Sequence, residues 1–233
     1  MKKLFFLILF INISFSQNNF FLTYKVKIGN EDIFKGNSNL RALFDKARND
    51  AANIKFGLIC KKENSLFYYI DNITSIDDNS SNNSASLIFA GYHGEVYTEG
   101  DSLYSYSKIL AKNTYIKSSA KINWSLENEK KIIDGYECYK AKSEYVVINP
   151  KGEFRHPVIA WYCPQLPYSF GPRGYNGLPG LILELQVRNV TYGVEKIDFN
   201  SDKDFEIDKK TMKILNEEEY KKALDKFNDF ETK

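Results

Sequence analysis

Tyr139 to Ile148 and Phe154 to Cys163 are two long runs of alternating pattern, and between them stands Asn149-Pro150-Lys151-Gly152. Proline fixes φ and glycine can adopt φ > 0, so the tetrapeptide reads as a tight turn and the two runs as the arms of a β-hairpin. With residues 149 and 152 facing one another, Val147 lies opposite Phe154, Tyr145 opposite His156, Ser143 opposite Val158, Ala141 opposite Ala160 and Tyr139 opposite Tyr162. That face carries no formal charge, while Glu144, Lys142, Lys140, Glu153 and Arg155 share the other. A slip of one residue mixes the two sets, so the pattern itself selects the register.

The same register sets Cys138 opposite Cys163 at a rung where Cα atoms approach to about 4.5 Å, which allows a cross-strand disulfide. A Pro-x-Gly turn can instead close as a three-residue loop with a bulge, shifting the arms by one residue and parting the thiols. Both outcomes stay open on the sequence. Cys60 is then left over, and a buried, inert thiol is expected there.

The rest of the chain extends this β pattern. Phe20 to Ile28 alternates Tyr24, Val26 and Ile28 with Lys25 and Lys27, the period of a half-buried strand. Leu40, Leu43, Phe44, Ala47, Ala51 and Ile54 recur at helical spacing and predict an amphipathic helix over 39–53 that lays one face on a sheet. Between residues 55 and 127, short runs rich in Phe, Tyr and Ile predict strands at 56–60, 66–70, 86–90, 95–98, 103–106, 114–117 and 122–126. Residues 77–84 (DDNSSNNS) hold nothing apolar to bury and read as an exposed loop. Near the end, Asn216 and Glu219 form a capping box, with Leu215 placed to staple onto Tyr220; a helix over 217–230 follows, its Tyr220, Ala223, Leu224 and Phe227 turned to the sheet. The expected fold is β-rich (α+β): a strongly curved antiparallel sheet, an open or incomplete β-barrel, with two capping helices over about 39–53 and 217–230.

Lys2 and Lys3, the apolar run Leu4 to Ile11 and the small residues around Ser14 to Ser16 have the order of a secretory leader cleaved near Ser16. The run is shorter than the roughly 20 residues of a membrane span, so residues 17–233 are expected as one exported domain, periplasmic or extracellular, with no transmembrane span. The chain's net charge of +2 comes from the leader's two lysines. A neutral remainder with interspersed signs has no surplus of cations for nucleic acid.

Residues 164–180 (PQLPYSFGPRGYNGLPG) hold four of the six prolines, and Gly171, Gly174, Gly177 and Gly180 fall three apart. Four triplets cannot build a collagen helix, and neither Gly-Lys-Ser/Thr nor G-x-G-x-x-G is present, so no cofactor is implied. The reading is a rigid, turn-rich excursion whose glycines permit close backbone approach. Gly177-Leu178-Pro179-Gly180-Leu181-Ile182 resembles the GLPGLI signature of a family of exported proteins from outer-membrane-bearing bacteria. Ala160-Trp161-Tyr162, Gly171-Pro172 and Gly135-Tyr136-Glu137-Cys138-Tyr139-Lys140-Ala141 are similar to further stretches of that family, so the resemblance covers roughly 131–187. It implies export and supplies no catalytic residue. Cys163 stands where many relatives carry threonine, so the resemblance lends the disulfide no support.

His93 and His156 are the only histidines, and nothing matches H-E-x-x-H or paired C-x-x-C, which argues against a zinc site. His156 is expected on the core side of the hairpin, making a hydrogen bond. His93 stands near Glu95 and Asp101 as a candidate base, weighed against an ordinary surface-turn histidine. The 16 tyrosines, 17 phenylalanines and 2 tryptophans, four of the phenylalanines in the leader, are generous for one domain. On a concave sheet they would hold an apolar or lipid-like ligand; filling a core is the plainer use. The second functional expectation is an accessory protein of an outer-membrane or cell-surface assembly, docking through 164–180 or a strand edge. A hydrolase built from distant residues is the third, since such a site leaves no local trace.

Overall fold

A computed structural model of the chain describes residues 19–31, 36–71, 82–149 and 152–231. The leader read at residues 1–16 and the tip of the hairpin turn, residues 150 and 151, lie outside them. The strands are β1 Asn19–Ile28, β2 Lys55–Cys60, β3 Asn64–Ile70, β4 Val96–Glu99, β5 Ser102–Tyr106, β6 Thr114–Ser119, β7 Ser125–Ile133, β8 Tyr136–Asn149, β9 Gly152–Cys163, β10 Leu181–Val187, β11 Val190–Ser201 and β12 Lys213–Asn216. The helices are α1 Ser38–Asp50, α2 Asn82–Phe89 and α3 Glu217–Glu231. All twelve strands form one sheet, in the order β12-β6-β5-β4-β3-β2-β1-β11-β10-β9-β8-β7. Only β12 on β6 is parallel. No ladder among the described residues joins β12 to β7, so the expected open barrel is what the chain forms.

The hairpin has the register that its charge pattern selects: Tyr139 faces Tyr162, Ala141 Ala160, Ser143 Val158, Tyr145 His156, Val147 Phe154 and Asn149 Gly152. The bulged, shifted alternative is excluded. Burial follows the same alternation across the neighbouring strands. Leu22, Tyr24 and Val26 of β1, Phe56 and Leu58 of β2, Phe67 of β3, Tyr192 of β11, Leu185 of β10 and Val158 and Ala160 of β9 all enter one core on the concave side. Tyr24, fully buried, donates its hydroxyl to the Ile182 carbonyl at 2.6 Å, so its one polar atom is satisfied inside the core. On the convex side Tyr97, Tyr104 and Tyr115 form a second cluster, covered by Phe205, Ile207 and Met212 from the stretch that carries the chain from β11 to β12.

Several expectations need correction. Residues 86–90 are not a strand: Ser86 and Leu87 are buried on α2 and Ala90 just past its end, and α2 packs on α1 with Ser86 Oγ donating to the Ala47 carbonyl at 3.0 Å and Phe89 edge-on to Phe44. The fold therefore has three helices among the described residues, and Asn82 to Ser84 belong to α2 rather than to a loop; residues 77–81 lie outside the description. On α1 the buried stripe is Phe44 and Ala47, continued by Ala51 and Ile54, whereas Leu40 and Leu43 stay 43% and 45% exposed because the α2 contacts fall on the helix's second half. Residues 122–124 precede β7 as coil, where the Trp124 indole donates to the Asn176 carbonyl at 2.8 Å.

The capping box forms as read, with Glu219 N–H donating to Asn216 Oδ1 at 2.9 Å and Asn216 N–H to Glu219 Oε2 at 2.8 Å. The helix it starts, α3, meets the β6–β12 edge and leaves Tyr220, Ala223 and Leu224 half-buried, so it borders the sheet instead of covering it. Replacing Tyr24 by Phe removes the hydroxyl that holds the Ile182 carbonyl and is expected to cost about 1–2 kcal/mol, measured by urea unfolding; a change within error would show that this bond does not hold β10 to β1.

Candidate functional site

The segment 164–180 runs through the inside of the curled sheet. It leaves β9 at Cys163, turns back so that Leu166 accepts from Leu181 N–H and Phe170 from Ile182 N–H, and hands the chain to β10. Leu166, Phe170, Pro172, Leu178, Leu181 and Ile182 are all buried. The apolar residues of the motif are therefore core, and the part of 164–180 that meets solvent is Pro164, Gln165, Pro167, Ser169, Gly177 and Pro179. Gly174 lies so close to the far wall that a side chain there would collide with Leu103 of β5 and Val96 of β4. That contact shows how far the sheet curls, since β4 and β5 sit several strands away from β10. Gly180, at φ +153, backs onto the Cys163 carbonyl, and a Cβ there would overlap the backbone oxygen.

This plug does not fill the hollow. A cleft of about 1020 Å³ remains between the β5–β6 end of the sheet and the β8–β9 hairpin, with Arg173, Gly174 and Tyr175 of the plug at its base. Leu103, Ala120 and Ile122 line one wall; Ser143, Tyr145, His156 and Pro157 line the other. The charge-free face of the hairpin is buried at Ala141, Val158 and Ala160 and then emerges, with Tyr145 39% and Phe154 41% exposed. His156 is half-buried and stacks on Tyr145, ring centroids 6.3 Å apart. Its side chain makes no hydrogen bond among the described residues, contrary to the expectation. The cleft's charges are mostly neutralised: Lys121 pairs with Asp101, Lys142 with Glu127, and Arg155 with Glu144 and Glu153.

His93 does not join Glu95 or Asp101. The Glu95 carboxylate accepts from the Tyr115 hydroxyl on the convex face, and Asp101 holds Lys121. His93 instead lies near Arg173 and Lys108; partial desolvation and then those two positive charges hold its imidazole below the ordinary histidine range. Arg173 escaped notice in the sequence because Pro-Arg-Gly reads as a turn like any other. Among the described residues no group of three His, Cys, Asp or Glu side chains is arranged to hold a metal ion.

The three cysteines are buried free thiols. Burial, and then the proximity of Cys163, pushes the Cys138 thiol up to about 12, and burial alone pushes Cys60 up. Native protein should resist alkylation at pH 8, because the reactive thiolate is suppressed. After unfolding without reductant, three labelled cysteines are expected from the thiols seen here; one labelled cysteine would reveal a Cys138–Cys163 bridge.

A family model described as "Protein of unknown function (Porph_ging)" matches residues 149–184, the stretch that holds β9, the plug and the motif. No curated protein matches the chain. Two solved structures of PNGF-II, in different space groups, are similar at 13% and 12% identity with TM-scores of 0.48 and 0.47, covering 88% and 86% of this chain. They share only 32% and 31% of their own length with it, so the chain spans about a third of those proteins. No helix among the described residues is long and apolar enough to cross a membrane.

The motif's part in the fold gives a paired prediction. Gly180→Ala forces a methyl group into backbone and should cost on the order of 3 kcal/mol or abolish folding. Gly177→Ala, also at positive φ but with nothing within 4 Å, should cost only about 1–2 kcal/mol. Equal losses in thermal unfolding would mean that the motif's glycines act through backbone freedom alone.

Proposed function

We propose that the chain is a non-enzymatic binding protein that holds an apolar or lipid-like ligand in the slot of its incomplete barrel. The observation that carries this reading is the hairpin face: an uncharged surface that continues out of the core and over a cleft, where Tyr145 and His156 stand opposite Ile122 and Leu103. Sites for small molecules are concave, mainly apolar and hundreds of cubic ångströms in volume, with a few fixed polar groups. The cleft has that size; its lining sets Leu103, Ala120, Ile122, Tyr145 and Val146 beside Ser143, Asn123 and Arg173, with Lys121, Lys142, Glu144 and Arg155 held in ion pairs. Glu144 is held by Arg155 and His156 by its stack on Tyr145, an arrangement suited to contact rather than to proton transfer. The leader at residues 1–16 supports delivery beyond the inner membrane, where such a carrier would meet lipid.

A second reading, an accessory protein of a surface assembly, is favoured by the free edge at β7. Leu126 and Ile132 are 57% and 67% exposed there, beside a row of unpaired backbone groups.

Native mass spectrometry of protein purified from its own compartment should show a bound adduct that dissociates on activation. Nile red should brighten on binding, and Tyr145→Ser with His156→Ser should weaken it about tenfold, roughly 1.4 kcal/mol, without lowering the melting temperature by more than a few degrees. A bare mass together with dye binding indifferent to the double substitution would overturn the reading, and a co-purifying membrane protein would favour the β7 edge.

A further inference from the structure

Two cations, Arg173 and Lys108, lie beside the plug close enough to His93 to act on its imidazole. The Pro172-Arg173-Gly174 turn holds Arg173 at φ +58 and lays its guanidinium against Gly91, where a Cβ would stand 3.1–3.2 Å from Nη1, Nη2 and Cζ. Lys108 places Nζ 5.8 Å from the ring centre of Tyr92, the residue between Gly91 and His93. His93 is exposed and feels both charges. Neither Arg173 nor Lys108 has an ion pair or a hydrogen bond among the described residues, whereas the other cations of the cleft are paired. The nearest carboxylate in sequence, Glu95, accepts from the Tyr115 hydroxyl; its charge also reaches Tyr92, but it makes no ion pair with Arg173 or Lys108 among the described residues.

The plainer account is that Arg173 answers the negative end of α2. Its carbonyls there already have partners: Leu87 accepts from Tyr92 N–H, Ile88 from Gly91 N–H, and the following Ala90 from the Tyr192 hydroxyl at 2.8 Å. Helix-end attraction also leaves five guanidinium donors unused and does nothing for Lys108 or His93. Arg173 is half-buried, yet none of its nitrogens is sealed from solvent. The left-handed backbone at Arg173, a residue other than glycine, turns the guanidinium toward Gly91 and beside His93, and strain of this kind is found at ligand sites. Gathering like charges is unfavourable until an anion joins them, and the guanidinium fork matches an oxyanion in two places at once.

We propose that Arg173, Lys108 and His93 form a binding site for a phosphate-type oxyanion. Since Arg173 also borders the cleft, the oxyanion is either free or the head of the ligand held there; the latter case rests on the function proposed above.

The test titrates the full exported chain with inorganic phosphate at low ionic strength, following the His93 ring proton by NMR, with His93→Gln to assign it. Saturable binding with Kd on the order of 1 mM or tighter is expected, together with a rise in the His93 pKa as the oxyanion offsets Arg173 and Lys108. Arg173→Gly suits the backbone at φ +58, so it should keep the fold while weakening phosphate at least tenfold; Lys108→Gln should weaken it several-fold. No saturable shift of His93, or an Arg173→Gly protein that binds phosphate like the parent, overturns the proposal. Octyl phosphate below its micelle concentration separates the sources. An affinity at least tenfold above that of phosphate, lost in Tyr145→Ser, assigns the oxyanion to the cleft ligand; equal affinities assign it to a free oxyanion and leave the site standing even if the carrier reading fails.

Discussion

A wide sheet that curls without closing encloses a hollow, and the fold depends on what fills it. Here the filling comes from the chain itself: residues 164–182 leave β9, cross the interior and return as β10, so the two strands that begin and end the excursion are also neighbours in the sheet. The closeness is set by backbone, with Gly180 against the Cys163 carbonyl and Gly174 against Leu103 and Val96. Side chains at those points would push the walls apart. The Tyr24 hydroxyl on the Ile182 carbonyl ties the end of this excursion to β1, and through β1 to β2 and the helices packed over the concave side. The match of residues 149–184 to a family model spans β9 and this device.

The plug is shorter than the hollow, and the difference is the cleft. An apolar wall left over in a folded protein is ordinarily either covered or used, because exposed apolar surface costs on the order of 25 cal/mol per Å². The hairpin arms run on past the last buried rung, Val158 opposite Ser143, and keep their uncharged face for two further rungs, where only the stack of Tyr145 on His156 shields it. On the opposite face the same stretch carries the Glu144–Arg155 ion pair beside Val146, itself 40% exposed. These uncharged rungs are the feature of the hairpin on which the binding proposal rests.

How much of this was legible in the residues depends on how local the cause is. The hairpin register follows from a two-residue period and one turn, both written within about 25 consecutive residues, and it is the register observed. The capping box at Asn216 and Glu219 is just as local, and it forms. Residues 86–90 were misread because a run of five apolar or small residues has no period long enough to tell a strand from a helix; the packing of Ser86 and Phe89 on α1 decides it. The parallel strand β12 was not foreseen, since its four residues pair with β6 about a hundred residues earlier. The motif was visible as a rigid excursion, but whether it pointed inward or outward was not, because proline and glycine set shape without stating which side is wet.

The cationic group shows the same limit more sharply. Arg173, Lys108 and His93 belong to three separate segments, and each is unremarkable alone: a turn arginine, a lysine after a short strand, a histidine between glycines. Their meeting is a consequence of the curl, which brings the plug up to the β4–β5 side of the sheet, and of Gly91, whose missing side chain makes room for the guanidinium. The chain's small net charge of +2 hides it further, because ion pairs elsewhere balance many of the other charges two by two. Net charge speaks to broad surfaces; a site for one oxyanion needs only a few unpaired cations, and the fold, not the composition, determines where they collect.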